Sequence, residues 1–247
     1  MMVVVNDPTT AGVRCMIMRG GTSKGAYFLA VDLPTDESER DELLLRIMGT
    51  PDRRQIDGIG GATPLTSKVA VVSVAPAGSG ADIEYLFLQL GVDKAMVTDR
   101  QNCGNLLAGV GPFAVERGLI DVNSRADEVE VRIRMVNTDS VATATFPVAD
   151  GRPSYEGGTA ISGVPGTAAP IRLDFADIAG GSTGALLPTG SPVDDIDGVA
   201  CTLIDNGMPV VVMAAQALGI TGHESCETLE ADDALRARLE SIRLKAG

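Results

Sequence analysis

The stretch Gln101-Asn102-Cys103-Gly104-Asn105 (QNCGN), continued by LLAGVGPFAVERG over 106–118, decides how this chain is read. The continuation is apolar enough for a helix, yet it holds Gly109, Gly111 and Pro112. Each glycine costs about 1 kcal/mol relative to alanine in a helix interior, and a proline costs more. Close approach of surrounding backbone would offset that, so a helix gripped inside a curled sheet is expected. Asn102 is a natural N-cap for a helix beginning near Cys103. The amides of Gly104, Asn105 and Leu106 would then point outward as an anion site. The same helix terminus would favour the thiolate at Cys103. A carboxylate held on those amides brings its α-carbon beside the sulfur, which is what a proton-abstracting cysteine needs. The competing reading is a buried structural cysteine at an ordinary cap.

Outward from this segment, the chain reads as many strands and few helices. VRCMIM (13–18) is a buried strand entering the turn RGGTSKG (19–25), and AYFLAVDLP (26–34) is a further extended run. Asp36 with Glu39 makes a capping box ahead of a stripe of Leu43, Leu44, Ile47 and Met48, stopped by Gly49 and Pro51. KVAVVSV (68–74) and IEYLFLQL (83–90) are strands of a sheet interior. VEVRIRM (129–135) alternates, with Val129, Val131, Ile133 and Met135 on one face, and VATATF (141–146) should pair with it as a hairpin. From about 150 to 190 the chain is rich in Gly, Pro, Ser and Thr around one apolar run, APIRLDFA, and reads as loops, a strand and a crossover. VACTLID (199–205) and PVVVM (209–213) flank a tight turn at Asn206-Gly207, and Leu235, Leu239 and Ile242 mark a last helix. The pattern is that of an α+β protein with highly curved sheets.

Composition narrows the function. The 247 residues suffice for one large domain or two smaller ones. A formal charge of −13, from 20 basic and 33 acidic side chains, argues against nucleic acid or anionic membrane as a partner. A small anionic substrate stays open, because charges beyond about 8 Å are largely screened. No apolar run approaches the roughly 20 residues of a membrane span. The opening MMVVVNDP is short and lacks the basic start and cleavage site of a signal peptide, so a soluble protein is expected. Cys15, Cys103, Cys201 and Cys226 show no C-x-x-C spacing, and His223 is the single histidine, so no Cys/His zinc pattern can be assembled. Few thiols suggest a reduced, cytoplasmic setting. With one histidine, proton work falls to lysine, cysteine or carboxylate.

Two loops share a pattern. In RGGTSKG, Gly20 and Gly21 let backbone approach a ligand, while Arg19, Thr22, Ser23 and Lys24 supply cations and hydroxyls. It is not a phosphate-binding Walker loop, since Thr-Ser precedes the lysine. Gly60 and Gly61 lead likewise into Thr66, Ser67 and Lys68, and Lys68 opens an apolar strand where partial burial would disfavour its ammonium form. Each loop alone suits a plain turn or a structural lysine. Read together, the donor-rich loops suit an oligo-carboxylate. Cys15 and Cys201 sit in apolar strands and read as core, and His223 with Cys226 as structural or incidental.

MRGGTSKG (18–25), RQIDGIGGATPLTSKVAVV (54–72), DRQNCGNLLAGVGPFAVERGL (99–119) and IDNGMPVVVM (204–213) together resemble the PrpF-like isomerases, a branch of the diaminopimelate-epimerase fold. NCGN before a glycine-rich helix is similar to the catalytic-cysteine element of the epimerases, and DNGMP, with Asn206, to their second-half G-N-P segment. The resemblance implies two similar domains, each a curled, mostly antiparallel sheet around a central helix, with the active site in the cleft between them. It implies a cofactor-free isomerase acting on a small unsaturated tricarboxylate, closest in wording to the 4-oxalomesaconate tautomerases of gallate breakdown. Isomerisation of 2-methylaconitate or aconitate is the alternative, and a truncated, non-catalytic tricarboxylate-binding protein a third. By motif match Lys68 and Cys103 transfer protons, and Ser23 and Lys24 follow as substrate contacts or an alternative acid/base. Which of Lys68 and Cys103 is the base is left open, as is a homo-oligomer. Family members are longer, so domains are expected at 1–184 and 185–247, the second incomplete.

Overall fold

The structure, a computed structural model, describes residues 12–176 and 178–247. The opening MMVVVNDP lies outside the described residues. The chain divides into two compact units, Met1–Ala176 and Asp177–Gly247. This division precedes the boundary expected at 184/185, and the hydrogen bonds explain why. The Gly180 N–H donates to the Asp205 carbonyl, and the Ser182 and Thr183 N–H groups donate to the Asp205 carboxylate. The glycine-rich segment after 177 is thereby tied to the second unit.

In the first unit, β1 (Met16–Gly20) and β2 (Ser23–Leu29) form a hairpin. The extended run expected to continue to 34 ends at Leu29 in a single 3-10 turn over Ala30–Asp32. Helix α1 (Glu37–Met48) starts where the Asp36 carboxylate accepts the Glu39 N–H at 3.0 Å and stops at left-handed Gly49. Strands β3 (Lys68–Val74) and β4 (Ile83–Leu90) have the bounds read from their apolar runs. After the short β5 (Val97–Thr98) come α2 (Gly104–Leu107) and α3 (Val110–Glu116). Then follow β6 (Glu128–Met135), β7 (Ser140–Ala149), β8 (Arg152–Pro153) and β9 (Arg172–Phe175).

All nine strands join one sheet in the order β1-β2-β3-β4-β6-β7-β8, with β5 on β4 and β9 on β7. The pairs β2/β3 and β4/β6 are parallel and the others antiparallel. A parallel pair needs a crossover, and the β4–β6 crossover is the segment that carries QNCGN.

Both faces of the central strands are covered, which is why β3 reads as a continuous apolar run. Ala70 and Val72 of β3 lie with Tyr27, Tyr85, Phe87, Val131, Ile133, Ala144 and Phe146 against Leu106, Leu107, Val110 and Phe113 of α2 and α3. Val69 and Val71 face the other way, with Phe28, Leu88 and Leu90, onto Leu44 and Met48 of α1.

The helix expected after QNCGN is two helices, broken at Ala108-Gly109. The break accounts for the proline. Pro112 falls in the first turn of α3, where its missing N–H would have had no intrahelical partner. The glycines sit where the sheet closes in. A Cβ on Gly109 would meet the Tyr27 hydroxyl, and one on Gly111 would lie 2.6 Å from Phe146 Cε1.

In the second unit, β10 (Asp194–Ile196), β11 (Val199–Asp205) and β12 (Pro209–Met213) form an antiparallel sheet, with the turn at Asn206-Gly207 as read. Helix α4 (Cys226–Ala231) precedes α5 (Asp233–Ala246). Ile242 of α5 packs on Val199, Cys201 and Leu203. Of the expected stripe, Leu235 and Ile242 are buried and Leu239 is exposed. Among the described residues, no helix is long and apolar enough to cross a membrane.

Candidate active site

The cap of α2 is Cys103, not Asn102. The Cys103 sulfur accepts the Leu106 N–H at 3.4 Å. Asn102 is drawn away by a partner distant in sequence, its Nδ2 donating to Thr138 Oγ1 at 2.5 Å, while its Oδ1 is buried without a partner among the described residues. The Leu106 amide is therefore spent on the sulfur, and Leu106 itself is buried. The amides of Gly104 and Asn105 have no acceptor among the described residues and both residues are exposed. Of the three amides expected to greet an anion, two are left to do so.

The first hairpin is seated on this helix start. Asn105 Oδ1 accepts the Thr22 N–H at 3.2 Å, and the Tyr27 hydroxyl donates to the Leu106 carbonyl at 2.6 Å. Gly20 is bare because a Cβ would strike the Asn105 carbonyl oxygen, and Gly21, at φ +50°, because one would strike the Asn105 side chain. These glycines admit the helix start. Arg19 is exposed and donates to the Gly21 carbonyl at 2.7 Å. Strand alternation parts the next two residues. Ser23 is on the α2 side with Gly25 and Tyr27, buried, its hydroxyl without a partner among the described residues. Lys24 is exposed and points to the opposite face. Ser23 and Lys24 thus do not serve one face together.

Lys68 opens β3 on the α2 side and is 8% exposed. Its Nζ donates to Gln89 Oε1 at 2.6 Å and stands 5.0 Å from the centre of the Phe87 ring. Gly25, its partner in the parallel β2/β3 ladder, connects it to α2: a Cβ there would lie 2.6 Å from the Lys68 carbonyl oxygen and 2.9 Å from Leu106 Cδ1. Phe87 packs near Tyr85, with ring centroids 6.5 Å apart, and the Tyr85 hydroxyl donates to the Cys103 carbonyl at 3.4 Å. Lys68 and Cys103 thus border one stretch of core.

The other members of the 60s loop work inward. Ser67 is fully buried, its hydroxyl placed to donate its one proton to Gln55 Oε1 at 2.7 Å or to the Thr63 carbonyl at 2.8 Å. A Cβ on Gly60 would strike the Gln55 side chain, and one on Gly61 would strike Thr66. Ser67 and Gly60, expected as substrate contacts, pack against the buried Gln55, and Gly61 packs against Thr66. Asn206 belongs to the second unit, exposed at the β11–β12 turn and bridged to Ala179.

Three contributors escaped the sequence reading: Gln89, Tyr27 and Tyr85. Gln89 carried a signal, as the single amide in the apolar strand IEYLFLQL. Both tyrosines are held far above the usual phenol range, first by burial and then by the adjacent Cys103 sulfur, so both stay neutral hydrogen-bond donors. Among the described residues, no three His, Cys, Asp or Glu side chains cluster as metal ligands. A groove of about 1090 Å³ lies in the second unit, bordered by Leu203, Val211, Met213 and Leu239, and none of the proton-transfer candidates lines it. Arg236, Arg243, Asp233 and Glu240 stand among its apolar lining residues.

The family described as PrpF protein matches residues 11–247. The chain is 59% identical over 233 residues to the (4E)-oxalomesaconate Delta-isomerase of Novosphingobium sp. (strain KA1), covering 94% of this chain and 64% of that one. It is 58% identical over 235 residues to the 4-oxalomesaconate tautomerase of Pseudomonas putida, covering 95% and 64%. Among solved structures it superposes on a methylitaconate-delta-isomerase with a TM-score of 0.77 at 41% identity, covering 94% of this chain and 60% of that one. The chain therefore spans less than two thirds of the length of these relatives. The fold is the curled epimerase-like α+β fold that the glycine-dense helix demanded, and the chain belongs to the PrpF family.

Proposed function

We propose that this chain acts as a cofactor-independent isomerase, shifting an allylic proton in 4-oxalomesaconate in the course of gallate breakdown in the cytoplasm. What supports this substrate is the difference in identity: 59% and 58% to two proteins named for oxalomesaconate, against 41% to one named for methylitaconate. Cys103 and Lys68 form the acid/base pair. One group removes the proton made acidic by the neighbouring unsaturation, giving a dienolate, and a proton returns at the other end of the conjugated system. The free amides of Gly104 and Asn105 hold a substrate carboxylate, and the Lys68 ammonium, when it is the charged partner, steadies the dienolate. Stabilisation of that anion by fixed donors is the largest contribution expected.

The test adds 4-oxalomesaconate, 2-methylaconitate and aconitate separately in D₂O and follows deuterium uptake by NMR. Uptake with oxalomesaconate above the others is the expected result. Uptake with methylaconitate or aconitate alone would reassign the substrate. Binding by calorimetry without exchange would make the chain a tricarboxylate-binding protein. Turnover surviving both Cys103→Ala and Lys68→Ala, tested separately, would overturn the mechanism.

A further inference from the structure

We infer that Gln89 is the positioning residue of Lys68: it aims the amine and, as a neutral acceptor, leaves it free to gain and lose a proton. The inference rests on the reading of Lys68 as a proton-transfer group.

The amide of Gln89 can sit only one way round. Its Nε2 faces three carbonyl oxygens, those of Pro64 at 3.2 Å, Ser67 at 3.1 Å and Leu90 at 3.1 Å. Rotating the amide would set an oxygen against those acceptors and an NH₂ against the lysine ammonium, so Oε1 must face Lys68. The backbone of the 64–67 loop and of β4 thereby fixes the direction of the Lys68–Gln89 bond. An ammonium has three hydrogens. One is committed to Gln89, which leaves two for a ligand or for transfer.

The environment of Lys68 makes the choice of an amide matter. Among the described residues, no carboxylate lies within ion-pair range of its Nζ. The titratable groups on this face of the packed elements are Tyr27 of β2, Tyr85 of β4 and Cys103 at the head of α2. Both tyrosines stay neutral. The ammonium is steadied by the Gln89 dipole and the Phe87 ring rather than by a fixed negative charge. A carboxylate in place of the amide would bind the proton much more firmly. A nearly buried lysine with a carboxylate partner is an ion pair; with an amide partner it remains a usable acid or base.

The experiment follows the ¹³Cε resonance of Lys68 through a pH titration in lysine-labelled protein, with the signal assigned by its loss in Lys68→Arg. In Gln89→Glu the midpoint should rise by about one pH unit or more. In Gln89→Met, which keeps the volume and loses the acceptor, it should fall. Far-ultraviolet circular dichroism reports whether each variant is folded. Opposite shifts in the two variants support the assignment. Midpoints that stay put, or move the same way, overturn it. The titration reads Lys68 without turnover, so it stands apart from the functional reading, which falls if Lys68→Ala keeps its activity.

Discussion

Asn105 Oδ1 accepts the Thr22 N–H at 3.2 Å, so the tip of the first hairpin and the first turn of α2 are fastened together across 83 residues of sequence. Around that bond the packing leaves no room for a side chain on Gly20 or Gly21. Gly20→Ala must push its Cβ into the Asn105 carbonyl, a backbone atom that cannot swing aside. We expect a loss of about 1–3 kcal/mol, the usual cost of overpacking, read from the urea midpoint. Asn105→Ala, which clears side-chain contact only, should cost about 1 kcal/mol and speed hydrogen exchange at the Thr22 amide.

Gly111 sets helix propensity against packing. Alanine is the better helix former by about 1 kcal/mol, so propensity alone makes Gly111→Ala stabilising. Its Cβ, however, would lie 2.6 Å from Phe146 Cε1, and Phe146 is itself fully packed. The clash should win, with a net loss of about 1 kcal/mol or more. Trimming the ring in Gly111→Ala/Phe146→Leu should recover part of the loss, and a double-mutant cycle on denaturation midpoints measures how much. A midpoint raised by Gly111→Ala alone would contradict this packing.

Tyr27 and Tyr85 make the fold sensitive to alkali. Both phenols are raised in the folded state, by burial and then by the Cys103 sulfur, above the ordinary value of 10.0 that they regain on unfolding. Stability from each is therefore fully present below pH 10 and declines as pH rises above it. The slope should approach about 1.4 kcal/mol per pH unit for each tyrosine. Tyr27→Phe should flatten the decline between pH 10 and 11, at the cost of the bond to the Leu106 carbonyl, worth about 1 kcal/mol at neutral pH. Denaturant melts across that range check both statements.

Cys103→Ala should lower kcat on 4-oxalomesaconate by at least about 100-fold, the range of a lost general acid or base, with little change in KM. Cys103→Ser separates two duties of the sulfur. A hydroxyl can still cap the Leu106 N–H, so stability should be kept while turnover stays low. Thermal melts and steady-state rates on the same preparations distinguish capping from chemistry.

Features encoded locally were legible in the sequence. The bounds of β3 and β4 follow from apolar runs covered on both faces, and the start of α1 from Asp36 with Glu39. The turn at Asn206-Gly207 could also be read from neighbouring residues. The glycine-dense stretch after QNCGN pointed to a helix inside a curled sheet, because its cost needed a close neighbour to offset it. The break at Ala108-Gly109 was missed, although Pro112 needed a helix start just before it. Asn102 and Cys103 both carry an acceptor able to cap, and the choice is made by Thr138, 36 residues away. Ser67 looked available until Gln55 claimed its hydroxyl across 12 residues. Which polar groups stay open is settled by tertiary partners, and composition is silent on those.

The crossover bearing Cys103 also sets an order of events during synthesis. Leu106, Leu107, Val110 and Phe113 emerge from the ribosome before β6 and β7, whose inner faces supply part of their cover. Until Ala149 has emerged, the nascent chain carries an apolar segment with an unfinished wall, the condition in which chaperones bind and chains aggregate. Slow translation once α3 has left the ribosome would prolong that exposure, whereas rapid emergence of the β6–β7 hairpin would end it.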